Sequence, residues 1–479
     1  MCESKSQPDL RIRSYLADKR EEMVSALSSL AAIPSVTGSP AVSEALHACA
    51  ELFARHGIAA RENQDGPYLV ASVGEGDGRP RIGLFAHCDV VPADPTDWEM
   101  CPPFSPRLVG NCLIGRGAVD DKAGIVLSLY AFLAIRSLGL PFSSSLVFFV
   151  GGAEEAGDMA DLRAFLKNEP TPDLSFVPDG DFPACVGEKT IIHATIRARS
   201  PFAALRSLEG GQAGNIVPAR AVVRLDGKGI LAAAIDGIRA EGKLPPYIRA
   251  EQGNDGEMIV TALGTAEHAS LAGPQSHSAL ARLCDFLCTQ PALPEGDRTT
   301  LAAIARAQQS FDGDFADLVA RDETGALTAV IGRAYTDEGC LCYTLDIRAP
   351  LCSEPAAVCA ALERFFLSHD ATLTSYEASP GFYLGNNRFA ACLGEIYAAL
   401  GHKGKLFTMG GGTYARHLPN AFSIGTMTEP RHPSISLPDG RGGEHQSDEC
   451  LCVDDLLSAA HVLARYLLEA DRYLQKANT

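Results

Sequence analysis

The sequence has little of what marks membrane, secreted or nucleic-acid-binding proteins. Its 479 residues contain no unbroken apolar run long enough to span a bilayer, and the stretch from Met1 to Pro8 lacks the apolar core of a signal peptide. Only 41 basic residues face 59 acidic ones, which leaves a net charge of −18. With no basic cluster to offset it, this charge disfavours nucleic acids and anionic membrane surfaces as partners. We expect a cytoplasmic protein.

The cysteines do not form the pattern of a disulfide framework or a zinc finger. They number 15, an odd count, and most lie in apolar stretches. Close pairs such as Cys340/Cys342 and Cys450/Cys452 have no second pair at zinc-finger spacing. We therefore interpret the cysteines as free thiols that pack as small hydrophobic side chains in a reducing compartment.

The length of the chain exceeds that at which a single core stops growing, so two compact units are expected. One amphipathic helix is predicted over residues 9–32, and helices then alternate with apolar strands to about residue 178, the pattern of an α/β layer with a buried sheet. Strands dominate after residue 187, and the first pattern returns near residue 381. We predict a discontinuous domain, residues 1–187 and 381–479, with a mixed sheet covered by helices. The inserted α/β domain, residues 188–380, has room for two similar halves.

Two apolar, buried-type strands are followed by residues that bind metals. His87 and Asp89 follow the run 82–86, and the pair Glu154-Glu155 follows the run 146–150. Ligand sites in open α/β sheets form at the carboxyl ends of strands, so this placement indicates a site. Because alternate strand residues share a face, His87 can bind a metal while Asp89 accepts the proton of its other ring nitrogen.

Three further segments supply carboxylates and a second histidine. The glycine-rich turn 115–122 brings Asp120 and Asp121 to the start of an apolar helix, where one can cap and the other can bridge metal ions. Asp179 follows a short apolar segment, and His445 lies in a polar loop before the closing helix. Each residue alone has an ordinary explanation as a cap, a turn or a surface residue. Together, two histidines and several carboxylates suit a pair of zinc ions.

These motifs resemble those of the zinc peptidases that include carnosinases, the bacterial glutamate carboxypeptidase, aminoacylase and succinyl-diaminopimelate desuccinylase. The likeness is strongest to the bacterial carnosinase-like Xaa-His dipeptidases and spans nearly the whole chain in the right order. It implies that the discontinuous domain is catalytic and that the insert is a lid. The motifs that carry it are His87-Cys88-Asp89-Val90-Val91-Pro92, Gly115 to Lys122, Glu154-Glu155, Pro178-Asp179-Gly180-Asp181-Phe182-Pro183, Gly410 to Arg416, and His445.

The resemblance implies five ligands for two zinc ions, for which cobalt or manganese could substitute. Asp120 would bridge the ions, and its peptide bond to Asp121 would be cis. Glu154 would be the general base, and Asp89 would orient a ligating histidine. The remaining ligands would be His87 and Asp179 for one ion and Glu155 and His445 for the other.

The resemblance also implies four contacts to the substrate. His268, together with Asn215, would reach the substrate from the insert, and His268 would stabilise the tetrahedral oxyanion. Arg348 would hold the C-terminal carboxylate, and Arg416 in the glycine-rich loop would add a second contact. Because three of these residues belong to the insert, closure of the two domains would assemble the site.

The sequence leaves three functions open. The first is a dinuclear zinc dipeptidase that acts on small dipeptides, as a monomer or a homodimer. The second is an N-acyl amino acid deacylase of the same family, which the long insert disfavours because the resemblance implies a smaller insert in simple deacylases. The third is a non-catalytic binding protein with the same fold. Such a protein would be expected to have lost ligands or Glu154, and this chain has kept them all.

Overall fold

The computed structural model describes residues 3–63, 65–74, 78–428, 435–438 and 440–477. The chain forms two compact units. The first comprises residues 1–186, 384–407 and 413–479, and the second comprises residues 187–383 and 408–412. Both units combine sheets with helices, so the predicted mixed α/β class is confirmed.

The first stretch of the chain alternates helices and strands. One difference from prediction lies at its start, where two helices meet at Lys19 instead of one running through residues 9–32. Neither glycine nor proline stands at Lys19, so the sequence gives no sign of the break. The elements are α1 (Glu3–Asp18), α2 (Arg20–Ala31), α3 (Ala41–Arg55), β1 (Ala60–Glu62), β2 (Tyr68–Val73), β3 (Arg81–His87), β4 (Arg107–Val109), β5 (Cys112–Ile114), α4 (Lys122–Ser137), β6 (Ser145–Gly151), α5 (Ala160–Asn168), β7 (Leu174–Gly180) and β8 (Cys185–Glu188).

The middle stretch is richer in strands, and the last stretch returns to the first unit except at residues 408–412. The middle elements are β9 (Thr190–Ala198), β10 (Leu205–Gly210), β11 (Arg220–Asp226), α6 (Ile230–Ala240), β12 (Ile248–Gln252), β13 (Glu257–Leu263), α7 (Ala279–Cys288), α8 (Glu295–Ala307), β14 (Arg321–Asp322), β15 (Gly325–Ala326), β16 (Thr328–Asp337), β17 (Cys340–Ala349), α9 (Pro355–Leu367), β18 (Ala371–Ser379) and β19 (Phe382–Tyr383). The last are α10 (Arg388–Ala399), β20 (Phe407–Met409), β21 (Ala421–Gly425), β22 (Cys450–Cys452) and α11 (Val453–Ala477).

The sheet of the first unit is mixed, with parallel strands at its centre. Its strands follow the order β1-β2-β6-β3-β7-β21-β8. The central strand β3 pairs in parallel with β6 and β7, and β21 continues the parallel set beside β7. Every residue of β6 is buried, and α4 is buried from Lys122 to Ile135. A strand and a helix buried on all sides require mostly apolar sequence, which these segments have.

The second unit is built on an antiparallel sheet with the strand order β12-β13-β11-β10-β16-β17-β9-β18. The sheet divides into two halves at the β10·β16 pair. Each half consists of a hairpin, β10-β11 or β16-β17, then a third strand, β13 or β9, and then an edge strand, β12 or β18. In both halves a helix, α6 or α9, connects the hairpin to the edge strand. The third strand differs, because β13 follows its edge strand in the chain whereas β9 precedes its own hairpin.

A helix that spans a membrane must be both long and apolar. Over the part of the chain that the structure describes, no helix combines the length and the apolar character needed to cross a membrane.

Candidate metal centre

Three of the predicted metal ligands and the predicted general base lie where parallel strands end. His87 is the last residue of β3, Asp179 is the residue before the last in β7, and Glu154 and Glu155 follow β6 after a short turn. Because β6, β3 and β7 are adjacent and parallel, their carboxyl ends meet at one edge of the sheet. The strand order therefore brings together ligands that lie far apart in sequence.

Asp120 has a histidine at each of its two carboxylate oxygens. Its Oδ1 lies 3.0 Å from Nε2 of His87, and its Oδ2 lies 3.0 Å from Nε2 of His445. The same His445 nitrogen lies 3.2 Å from Oε1 of Glu155. The peptide bond between Asp120 and Asp121 is cis, as expected. A carboxylate that faces two histidines in this way has the arrangement of a bridging ligand.

Among the residues that the structure describes, two groups of side chains are compact enough to hold a metal ion. The ligand atoms of His87, Asp120 and Glu155 lie within 4.8 Å of one another, and so do those of His87, Glu154 and Asp179. Adjacent ligand atoms of a tetrahedral zinc site, with bonds of about 2.0–2.1 Å, lie about 3.3 Å apart. The nitrogen-to-oxygen separations around Asp120 are close to that value.

The protonation of His87 favours a cation at this point. Its Nδ1 lies 3.0 Å from the carbonyl oxygen of Asp89, which can only accept, so Nδ1 carries the proton. In the neutral ring Nε2 then presents a lone pair toward the Asp120 carboxylate. Nε2 is buried, and it has no hydrogen-bond partner among the described residues. Two facing lone pairs repel unless a proton or a metal ion lies between them, so the residues present fit a metal ion.

The ionisation of the cluster points the same way. Burial and neighbouring carboxylates raise the pKa of Glu154 and of Asp179 well above the usual range. Burial disfavours a charge on His445 as well, but Asp120 and Glu155 outweigh it and raise its pKa to about 11. Although burial also opposes its charge, Asp120 has its pKa held well below the usual range by the two histidines. Without a metal ion the histidines hold protons against the crowded carboxylates, and a divalent cation can take the place of those protons.

Asp89 connects the two strand ends. Its Oδ1 lies 3.4 Å from Nδ1 of His87, and the backbone N–H groups of Glu154 and Glu155 donate to its carboxylate at 3.3 and 3.2 Å. The hydroxyl of Thr37 donates to it at 2.8 Å. Asp89 is fully buried, so it can hold both the histidine ring and the paired glutamates in place.

Glu449 is a buried residue of the site that the sequence analysis did not assign. Its carboxylate accepts from the backbone N–H groups of Gly117, Val119 and Asp120 at 3.1, 2.7 and 3.2 Å. Arg116 donates to the same carboxylate at 2.7 Å. Through these bonds Glu449 holds in place the loop that carries Asp120. Its only sequence signal is an acidic residue four positions after His445, and an acidic residue in a polar loop is usually exposed.

Asp161 and Lys122 are two more buried charges that sequence reasoning missed. Asp161 accepts from the hydroxyl of Tyr414 at 2.6 Å and from the backbone N–H of Ala153 at 2.9 Å, next to the paired glutamates. Nζ of Lys122 donates to the carbonyl oxygens of Leu30 and Ile33 at 3.0 and 2.8 Å, and burial lowers its pKa to about 8. These contacts tie the metal-site loops to the surrounding helices.

The predicted substrate contacts of the second unit lie near one another. The backbone N–H of Ala269, next to His268, donates to the carbonyl oxygen of Asn215 at 2.8 Å. Arg348 donates from Nη1 to the carbonyl oxygen of Gly410 at 2.8 Å, and Gly410 lies against the side chain of Ser270. His268, Asn215 and Arg348 are therefore connected through short contacts.

Arg348 is more constrained than a surface arginine. Its Nε and Nη2 donate to the two carboxylate oxygens of Asp346 at 2.6 and 2.8 Å, and both residues are buried. His193, the register partner of Asp346 on β9, lies 3.0 Å from the same carboxylate. Arg416 belongs to the first unit, where it lies half-buried in a short turn that begins at Tyr414. The substrate roles of both arginines stay predictions.

The known proteins that match this chain include peptidases. Residues 83–469 match the profile described as peptidase family M20/M25/M40. The protein named "Putative dipeptidase YtjP" of Bacillus subtilis (strain 168) is 28% identical over 442 residues, which are 89% of this chain and 90% of that relative. The Beta-Ala-Xaa dipeptidase of Lactobacillus delbrueckii subsp. lactis is 25% identical over 406 residues, 82% of this chain and 83% of that relative. The structure of human carnosine dipeptidase 1 superposes with a TM-score of 0.56 at 15% identity, covering 97% of this chain and 100% of that one, which supports the fold.

Proposed function

Because the chain belongs to peptidase family M20/M25/M40, and is thus a metallopeptidase, we propose that it is a dipeptidase with a pair of metal ions. The observation that carries the proposal is the position of Asp120, with a histidine nitrogen 3.0 Å from each carboxylate oxygen. The proposed ligands are the five that the sequence indicates. They are His87, Asp120, Glu155, Asp179 and His445.

We propose zinc as the native metal, since imidazole and carboxylate ligands suit it, although cobalt and manganese accept the same ligands. Bound ions would acidify the attacking water and polarise the scissile carbonyl. The ligands would come from three adjacent strand ends and two loops. That spread explains why the loops are fixed by buried charges such as Glu449 and Asp161.

The proposed general base is Glu154. It is buried beside His87 and Asp179, and its backbone N–H is held by Asp89, so its position relative to the ligands is fixed. In this proposal Glu154 takes a proton from the attacking water and returns it to the amine that leaves. A single carboxyl can serve both steps because it is protonated between them.

The proposed substrate contacts come from His268, Asn215, Arg348 and Arg416. His268 would donate to the oxyanion that forms when water adds to the scissile carbonyl. Arg348 would hold the substrate carboxylate, in an orientation fixed by Asp346. Its bonds to Asp346 use the Nε proton and one proton of Nη2, and its bond to Gly410 uses one proton of Nη1, which leaves one proton on each terminal nitrogen for a ligand.

The relatives named for dipeptide hydrolysis favour a dipeptidase over a deacylase. The test is hydrolysis by metal-loaded protein of a panel that pairs dipeptides with N-acyl amino acids sharing the same C-terminal residue. We expect turnover of the dipeptides, abolished by a chelator and restored by zinc. Preferential cleavage of the N-acyl amino acids would establish the deacylase instead, and chelator-resistant turnover would contradict the metal mechanism.

A further inference from the structure

Ser270 contacts the ring of His268 twice. Its backbone N–H donates to Nδ1 of His268 at 3.3 Å, and its hydroxyl oxygen lies 2.7 Å from the same nitrogen. A backbone N–H can only donate, so Nδ1 must present its lone pair. The hydroxyl, which can donate or accept, then donates to Nδ1 as well.

These contacts determine which ring nitrogen carries the proton. A neutral imidazole has one N–H, and when Nδ1 accepts, the proton belongs to Nε2. We propose that Ser270 is a positioning residue that holds His268 in the Nε2-protonated tautomer, with an N–H donor at the far side of the ring. The proposal rests on the proposed function, in which that donor faces the oxyanion.

The turn that carries the two residues is held in place. His268 begins a short helical turn over Ala269–Leu271, and it pairs with Ile216 in an isolated bridge. Ala269 is buried in a small apolar cluster with Val217 and Phe311. The ring of His268 therefore starts from an anchored backbone, and Ser270 has only to fix its rotation and tautomer.

Gly410 lies against the other side of Ser270. A Cβ added at Gly410 would lie 2.6 Å from Cβ of Ser270, a separation that real side chains do not tolerate. Gly410 is itself held by Arg348 through its carbonyl oxygen. The close approach limits the space in which the serine can move, so its hydroxyl stays near Nδ1.

The first test is kinetic and uses a double-mutant cycle. Ser270→Ala removes the hydroxyl but keeps the longer backbone contact, so we expect about a tenfold loss in kcat with little change in KM. Ser270→Thr keeps a hydroxyl at the same position and should restore most of the rate. His268→Ala should lower kcat by on the order of a hundredfold, and adding Ser270→Ala to it should cost nothing further. A full tenfold loss in the His268→Ala background would overturn the proposal.

The second test does not depend on activity. Two-bond nitrogen-proton correlation spectra of protein labelled with ¹⁵N-histidine report the tautomer, and His268→Ala assigns the signal. We expect a protonated Nε2 and an unprotonated Nδ1 for His268 in the unmodified protein, and a larger share of the Nδ1-protonated tautomer in Ser270→Ala, which keeps only the longer backbone contact. A proton on Nδ1 in the unmodified protein would contradict the proposal. If the protein hydrolyses no dipeptide, the proposed function fails, while the spectrum still decides whether Ser270 sets the tautomer.

Discussion

Replacing Glu449 with glutamine should loosen the loop that carries Asp120. The carboxylate accepts four N–H groups, two at each oxygen, from Arg116, Gly117, Val119 and Asp120. An amide has one accepting oxygen and one donating NH₂ group. Whichever way the glutamine turns, two of the four donors then face another donor.

The expected cost follows from the burial of these groups. Each buried donor left without an acceptor costs about 1–3 kcal/mol, and removing one partner of a buried ion pair costs about 3–5 kcal/mol. The two estimates overlap because they count the same contacts. Burial raises the pKa of Glu449 and Arg116 lowers it, but only the ionised form can accept from all four donors. We expect Glu449→Gln to lower the free energy of unfolding by about 3–5 kcal/mol.

The same change should weaken metal binding, because a displaced Asp120 can no longer face both histidines. Loss of an outer contact to a metal ligand typically lowers affinity by about 10–100-fold. Urea unfolding of the metal-free protein and a zinc competition titration measure the two effects. Glu363→Gln, on an exposed face of α9, is the matched control and should change neither. If Glu449→Gln unfolds at the urea concentration of the unmodified protein and binds zinc equally well, the assignment of Glu449 is wrong.

Two other predictions concern buried polar groups of the first unit. Tyr414→Phe removes the hydroxyl that donates to Asp161, and it should lower turnover. Tyr466→Phe removes a buried hydroxyl that donates to a carbonyl oxygen, so it should lower the free energy of unfolding by a comparable amount but leave turnover unchanged. Equal turnover in the two variants would contradict the positioning of the metal-site loop by Tyr414. Burial lowers the pKa of His461 to about 4, and its Nδ1 accepts from Arg13 at 3.2 Å, so the folded protein binds this proton less readily than the unfolded chain does. The neutral ring therefore contributes to the free energy of unfolding above about pH 6.5, and this contribution, up to about 3 kcal/mol, is lost as pH falls toward 4. Urea unfolding at pH 7 and pH 5 should therefore show a smaller loss in His461→Asn than in the unmodified protein, and equal losses would refute the assignment.

Much of the first unit follows from local sequence pattern. The apolar runs 82–86 and 146–150 predicted β3 and β6 to within a residue at each end, and the apolar stretch from Lys122 predicted α4. These segments are buried on all sides, so their hydrophobicity alone identifies them. Placing His87 and Glu154 at strand ends then required only the rule that sites form at carboxyl edges.

The parts that could not be predicted depend on contacts between distant residues. Glu449 bonds to a loop more than 300 residues earlier in the chain, and three of its four donors are backbone N–H groups that no residue type reveals. Asp161 bonds to Tyr414, which lies 253 residues later in the chain. The break between α1 and α2 likewise leaves no glycine or proline as a signal. Such features are set by tertiary packing, which a local pattern does not contain.

In the proposed mechanism five ligands hold the metal ions while Glu154 transfers protons. Glu154→Gln, compared with Asp120→Ala, tests it most directly when metal content and dipeptide turnover are measured on the same preparations. We expect Glu154→Gln to keep the metal content of the unmodified protein but to lose turnover by at least about a hundredfold, whereas Asp120→Ala should lose metal as well. Full turnover in Glu154→Gln, or full metal content in Asp120→Ala, would contradict it.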